Sequence, residues 1–158
     1  GGKFDSADHL TNAIEAAWLE TMSTDHYRYV VMTGGEPLLQ LDAPLIEALH
    51  QRHFEIAIET NGTIKIPNGI DWVCLSPKAN AELVVKQADE IKLVVPQTEH
   101  QPIETTLHRF EGMDFRHRYL QPMDGPQLRE NTAYAVELCQ KHPLWRLSVQ
   151  THKMIGIL

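Results

Sequence analysis

Residues 29–37 read Tyr-Val-Val-Met-Thr-Gly-Gly-Glu-Pro, and this stretch decides the fold class. Its four apolar and aromatic residues predict a short strand, which ends abruptly at a polar turn rich in glycine. The pattern recurs five times downstream, where an apolar run meets polar residues, in most cases with Gly or Pro. The five stretches are 56–62, 72–78, 91–97, 119–125 and 145–153.

Helical spacing of apolar residues appears between these strands. Each named residue lies three or four positions from another member of its set, which places the set on one face of a helix. In the second helix Asp42 is expected to cap the N-terminus, with Pro44 in the first turn. Strands that alternate with helices predict an α/β fold with a mostly parallel sheet. The sets are Leu10, Ile14, Ala17, Trp18 and Met22; Leu45, Ile46 and Leu49; the weaker stretch 102–110; and Ala135, Leu138 and Cys139.

Length and composition restrict the class of protein. The 158 residues, 42% of them hydrophobic, fit a single domain spanning residues 1–158 and are too few for a closed eightfold β/α barrel. With 14 Lys and Arg against 21 Asp and Glu, the formal net charge of -7 argues against nucleic acid as a direct partner. No apolar run approaches the roughly 20 residues of a membrane span, so no membrane partner is expected. Cys74 and Cys139 form no disulfide framework, which predicts a reducing cytoplasm.

The polar residues at the ends of the predicted strands are expected to meet at one edge of the sheet. Parallel α/β sheets bind ligands at the carboxyl ends of their strands. A simpler alternative is that strand ends need turns, which accounts well for the Gly and Pro residues. It accounts less well for six side chains that carry a charge, a hydroxyl or an imidazole, namely Glu36, Glu59, Ser76, Lys78, Asp124 and His152.

The glycine turn at residues 33–37 carries the most chemical information. Paired glycines let the backbone approach a ligand closely, as in phosphate loops. Glu36 argues against a phosphate, because a carboxylate next to the glycines repels an anion but can hold an ammonium group. The alternative is a tight turn in which Glu36 is only a solvated charge.

This turn and four later stretches resemble one enzyme family. Thr-Gly-Gly-Glu-Pro after a strand is similar to the S-adenosylmethionine (SAM) motif of radical SAM enzymes, in which the Glu lies near the amino group of SAM. Residues 59–62, 76–78, 121–125 and 145–153 are similar to the 7-carboxy-7-deazaguanine synthase family within that superfamily. The resemblance covers nearly the whole chain and implies a partial (β/α) barrel of radical SAM type, with its first strand missing from this sequence.

The resemblance also implies roles for individual residues. The substrate is a pterin, whose donor and acceptor edge suits the carboxylate of Glu59 and the amide of Asn61. The family's last residue offers its terminal carboxylate to the substrate, a role that falls here to Leu158, although Gly156 stands where the family usually has Asn. The implied SAM-binding residues are Gly34, Gly35, Glu36, Ser76, Pro77, Lys78, Gln121, Pro122, Met123 and Asp124, and the implied substrate-binding residues are Thr33, Glu59, Asn61, His152 and Leu158.

The implied reaction is a lyase step in queuosine biosynthesis, a tRNA modification. The 5′-deoxyadenosyl radical from SAM starts a ring contraction of 6-carboxy-5,6,7,8-tetrahydropterin to the 7-deazapurine 7-carboxy-7-deazaguanine, with loss of ammonia. The family implies a 4Fe-4S cluster, Mg2+, an electron donor such as a flavodoxin, and a homodimer. No residue of this sequence is an obvious general base, so the catalytic residues stay unassigned.

Neither cysteine fits the expected iron–sulfur cluster. Such a cluster commonly uses Cys-x3-Cys-x2-Cys, whereas Cys74 and Cys139 are far apart in sequence. The chain also begins at Gly1 without Met, so it is expected to be processed, trimmed or partial. The cluster cysteines and a Mg2+-contacting Thr are expected upstream of Gly1, and this chain alone is expected to be inactive.

Several alternatives stay open at the level of sequence. The chain could be another radical SAM enzyme or activase, or a cluster-free α/β small-molecule-binding module. Residues 76–78 could be an ordinary turn, and His152 a structural histidine. Other features favour structural roles. His50 and His53 stand where a helix is expected to end, and a favourable charge at the helix end explains them better than metal binding does. The tryptophans suit core packing, namely Trp18, Trp72 and Trp145.

Overall fold

Helices and strands alternate along the chain in a computed structural model that describes residues 3–21, 27–79, 81–97 and 102–157. The strands follow one another in the sheet in their chain order, β1 to β6. The ladders β1–β2, β3–β4, β4–β5 and β5–β6 are all parallel, which confirms the predicted α/β class. The elements are α1 Ala7–Thr21, β1 Tyr29–Met32, a 3-10 helix Pro37–Leu39, α2 Ala43–Gln51, β2 Glu55–Thr60, β3 Trp72–Leu75, β4 Gln87–Val95, α3 Ile103–Glu111, β5 Asp114–Pro122, α4 Leu128–Lys141, β6 Arg146–Leu147 and α5 Thr151–Met154.

The chain divides into two compact units. The first comprises Gly1–Thr60 with Ile64–Val73, and the second comprises Asn61–Thr63 with Cys74–Leu158. Each unit has buried apolar residues of its own.

The start of α2 shows why the first unit folds as it does. The Oδ1 atom of Asp42 accepts the Leu45 N–H at 3.0 Å, so the predicted cap is confirmed. The helix then buries one apolar face against β2, where Ile56 and Ile58 are fully buried. The apolar set predicted for the first helix lies on α1, and its described members pack on this core except Ala17, which is exposed. Met22 lies outside the described residues. The members that pack on the core are Leu10, Ile14 and Trp18.

The second unit is built on the long β4–β5 ladder. Pairing runs from Gln87↔Asp114 to Val95↔Pro122, so both strands are longer than the apolar runs that predicted them. Parallel pairing supplies backbone hydrogen bonds to polar residues as well as apolar ones, which is why the strands extend beyond those runs. By contrast β6 contains only two residues, fewer than the predicted five. The helices α3 and α4 contribute buried side chains, which are Ile103, Leu107, Phe110, Ala135 and Leu138.

Two further expectations have outcomes in the described residues. Of the three tryptophans, Trp145 is buried, while Trp18 and Trp72 are partly buried; Trp18 packs edge-on against Phe54. Within the described ranges no helix is both long and apolar enough to cross a lipid bilayer.

Candidate functional site

The glycine turn of the first unit holds the Glu36 side chain in a defined place. Its Oε1 atom accepts the Leu38 N–H at 3.2 Å and the Thr60 hydroxyl at 2.7 Å. Thr60 is only 1% exposed, so its hydroxyl is fixed by packing. Gly34 has φ of +121°, which an L side chain rarely adopts and which turns the chain away from β1. The carboxylate is therefore an oriented acceptor suited to a cation, rather than only a solvated charge on a turn.

Thr33 lines a cavity of about 670 Å³ within the first unit. The cavity has both apolar and polar walls, with Phe4 and Met32 among the apolar side chains and Gln40 and Asp42 among the polar ones. Among the predicted site residues that the structure describes, Thr33 alone lines this cavity. Its mixed lining suits a ligand that combines an apolar ring with polar edges.

The end of β2 carries Glu59 and leads into Asn61. Glu59 is partly buried and lies within the strand, one residue before its end. Asn61 forms an Asx turn, because its Oδ1 accepts the Thr63 N–H at 2.9 Å and the Thr63 hydroxyl at 2.7 Å. The following Gly62 is buried with φ of +81°, and its carbonyl accepts the Val84 N–H at 2.9 Å. This turn therefore sets the orientation of Asn61.

Residues 76–78 combine buried and exposed side chains in the second unit. Ser76 is 4% exposed and Pro77 is buried, whereas Lys78 is exposed. The Nε2 atom of Gln97 donates to the Pro77 carbonyl at 2.9 Å, which anchors the turn after β3. Pro77 and Lys78 line a cavity of about 320 Å³ together with Arg109 of α3. The turn after β3 is thus anchored at Pro77 and lies beside a cavity.

The last residues of β5 lead into a second anchored turn. Gln121 and Pro122 belong to the strand, and the Met123 N–H donates to the Val95 carbonyl at 2.8 Å. The Met123 carbonyl accepts from Asn131 Nδ2 at 2.9 Å. This double anchoring fixes the backbone immediately before Asp124.

Asp124 uses both carboxylate oxygens. Its Oδ1 accepts the Gly125 N–H at 3.0 Å, and its Oδ2 accepts a hydrogen bond from Lys153 Nζ in an ion pair. The hydrogen bond and positive charge of Lys153 lower the pKa of Asp124. Asp124 is thereby kept ionised and oriented.

The C-terminal helix α5 carries His152, which is exposed. The helix ends in a Schellman motif: the Ile157 N–H donates to the His152 carbonyl at 2.8 Å, and Gly156 adopts φ of +74°. Glycine adopts this left-handed conformation without steric cost. Leu158 lies outside the described residues.

The described cysteines and histidines do not form a metal or cluster site. Cys74 is buried in β3, whereas partial burial raises the pKa of the Cys139 thiol on α4 and so disfavours the thiolate that a cluster needs. No group of three or more metal-ligating side chains occurs in the described ranges. His50 bonds to Asp71 at 3.0 Å, which gives it a specific carboxylate partner near the end of α2.

Two residues that the sequence did not assign are part of these arrangements. Thr60 orients Glu36, and Lys153 orients Asp124. Both stand next to predicted site residues in the sequence, Thr60 beside Glu59 and Lys153 beside His152. That adjacency, and their place inside the stretches 59–62 and 145–153 that carry the family resemblance, could have pointed to them.

Comparison with known proteins identifies the family. No family model matches the chain. The chain is 57% identical over 157 residues to 7-carboxy-7-deazaguanine synthase of Bradyrhizobium diazoefficiens and 54% identical over 157 residues to that of Caulobacter vibrioides. Each alignment covers 99% of this chain and 71% of the relative. It resembles the crystal structure of QueE from Escherichia coli with a TM-score of 0.67 and 29% identity, over 91% of this chain and 63% of that one. The chain belongs to the 7-carboxy-7-deazaguanine synthase family.

Proposed function

We propose that this chain carries SAM- and pterin-binding residues of a 7-carboxy-7-deazaguanine synthase. The protein of which it is part converts 6-carboxy-5,6,7,8-tetrahydropterin to 7-carboxy-7-deazaguanine with loss of ammonia, a step toward queuosine. Similarity along 99% of the chain to relatives of that name supports this function. The observation that carries the site assignment is the Glu36 carboxylate, held at the glycine turn by the buried Thr60 hydroxyl.

Glu36 is assigned to the amino group of SAM. A carboxylate whose orientation is fixed in advance loses little conformational entropy when it forms a charge-assisted hydrogen bond. Gly34 and Gly35 expose backbone groups beside it, and a Cβ at either position would meet no heavy atom within 4 Å. The turn therefore leaves space at the position where the ligand is proposed to lie. The remaining SAM contacts are assigned to Ser76, Pro77, Lys78, Gln121, Pro122, Met123 and Asp124.

The pterin substrate is assigned to polar side chains with acceptor and donor capacity. Thr33 lines the larger cavity, and the Asx turn orients Asn61. Glu59 offers a carboxylate, and His152 can donate or accept a hydrogen bond near neutral pH. The terminal carboxylate of Leu158 is assigned to the same substrate from the family resemblance.

The residues present fit SAM but not the iron–sulfur cluster. SAM and the cluster together supply the radical that starts the reaction, and this chain's own residues bind and orient the reactants and exclude water. Cys74 and Cys139 are not assigned as cluster ligands, and no residue is assigned to Mg2+. Cluster, Mg2+, a flavodoxin-type electron donor, a homodimer and a cytoplasmic location belong to the proposal for the full-length enzyme, which need not contact nucleic acid or a membrane.

The test uses the full-length enzyme, reconstituted anaerobically with its cluster. With SAM, reductant and the pterin it should form 5′-deoxyadenosine and 7-carboxy-7-deazaguanine, and an enzyme that binds SAM but forms no deazaguanine would refute the function. Glu36→Gln should weaken SAM binding about tenfold or more, the effect of losing one hydrogen bond to a charged group. Glu47→Gln on the exposed face of α2 is the matched control and should bind SAM normally. Unchanged SAM affinity in Glu36→Gln would refute the role of Glu36.

A further inference from the structure

The C-terminal segment 151–157 is held in place by very few contacts. All of its residues are exposed, including Met154 at 76% and Ile155 at 64%. Its backbone hydrogen bonds are local and reach back no further than Val149. Among the residues that the structure describes, the Lys153–Asp124 ion pair is the one hydrogen bond or ion pair that joins this segment to a residue before Val149. Packing therefore does not fix the segment, and this exposed ion pair holds it only weakly.

The partner of Lys153 is better anchored than Lys153 itself. The backbone before Asp124 is fixed at Met123 by hydrogen bonds with Val95 and Asn131. The Asp124 carboxylate has about four acceptor positions, of which Gly125 and Lys153 use two. It can thus accept hydrogen bonds from a ligand without releasing Lys153.

We propose that Lys153 is a positioning residue that couples SAM binding to substrate binding. The inference rests on the proposed function, in which Asp124 contacts SAM and His152 contacts the pterin. SAM bound at Asp124 orders the carboxylate, which orders Lys153 and the segment that carries His152. A ligand that orders a shared element lowers the ordering cost for the next ligand, so the two ligands bind with positive cooperativity.

The experiment measures SAM affinity of the cluster-loaded, full-length enzyme with and without 6-carboxy-5,6,7,8-tetrahydropterin, in the absence of reductant so that no turnover occurs. In the wild type the pterin should tighten SAM binding about fivefold, the upper end expected from one exposed ion pair. Lys153→Met should remove this coupling, and Lys153→Arg should retain it, since Arg preserves the charge and the hydrogen bond. Lys141→Met is the matched control, because it breaks the exposed 2.6 Å pair with Glu137 on α4 and should leave the coupling unchanged.

The possible results separate this inference from the proposed function. Wild-type enzyme that does not bind SAM overturns the proposed function itself. Wild-type enzyme that binds both ligands independently overturns only the coupling. Lys153→Met with wild-type coupling, or equal loss of coupling in Lys141→Met, also overturns the role of Lys153. If Lys153 had only a structural role, Lys153→Met would change the SAM affinity equally with and without the pterin, and the ratio of these two affinities would stay at the wild-type value.

Discussion

Substitution of Gly62 by Ala should destabilise the second unit strongly. A Cβ at Gly62 would lie 2.3 Å from Leu75 Cδ1 and 3.2 Å from Leu83 Cδ2. Leu75 is fully buried, so it cannot turn toward solvent to relieve the overlap. The φ of +81° adds the cost of a left-handed conformation in a residue with a side chain. Together the conformational cost and the overpacking amount to about 2–5 kcal/mol.

Thermal and urea unfolding measure this effect. At this chain length each kcal/mol lowers the melting temperature by about 2–4 °C, so a clear shift is expected. Gly156→Ala is the matched control: its φ of +74° is similar, but its Cβ would meet nothing within 4 Å. Because Gly156 lies in an exposed terminal segment, its substitution should leave the global midpoint unchanged.

A double variant tests whether the contact with Leu75 is the cause. Leu75→Val removes the δ-carbons, so Gly62→Ala with Leu75→Val should lose less stability than the two single changes added together. Additive losses, or a Gly62→Ala variant that unfolds at the wild-type midpoint, would refute the steric argument.

Two further predictions concern hydrogen bonds to carboxylates. Although partial burial opposes ionisation of Glu111, hydrogen bonds with His108 and His142 lower its pKa overall, so its ionised form stabilises the fold. That contribution to the free energy of unfolding, about 1 kcal/mol, is fully present above the ordinary glutamate pKa of 4.5 and is lost as the pH falls through the lowered pKa. Glu111→Gln should remove this part of the acid dependence of urea unfolding. An unchanged pH dependence in the variant would contradict the prediction. Thr60→Val should weaken SAM binding about fivefold because Glu36 loses a fixed hydrogen-bond donor, whereas Thr60→Ser should bind SAM normally. Equilibrium dialysis measures both affinities, and equal SAM affinity of the two variants would argue against a role of Thr60 in orienting Glu36.

Local signals in the sequence predicted the elements well. The strands β1 and β3 begin and end at the residues where the apolar runs do. The cap at Asp42 was predictable because it joins residues three apart. The bounds of β4, β5 and β6 were less predictable, since they depend on pairing with neighbouring strands rather than on the run itself.

The sequence by itself determined the α/β class, the position of the glycine turn and the family resemblance, because each depends on residues close together in the chain. Only the tertiary structure decided which partners orient the candidate site. Thr60 bonds to Glu36 across 24 positions, and Lys153 pairs with Asp124 across 29. With 14 Lys and Arg and 21 Asp and Glu in the chain, composition does not say which charges meet. The folded backbone makes that choice, because it brings a few distant side chains within hydrogen-bond distance and separates the rest.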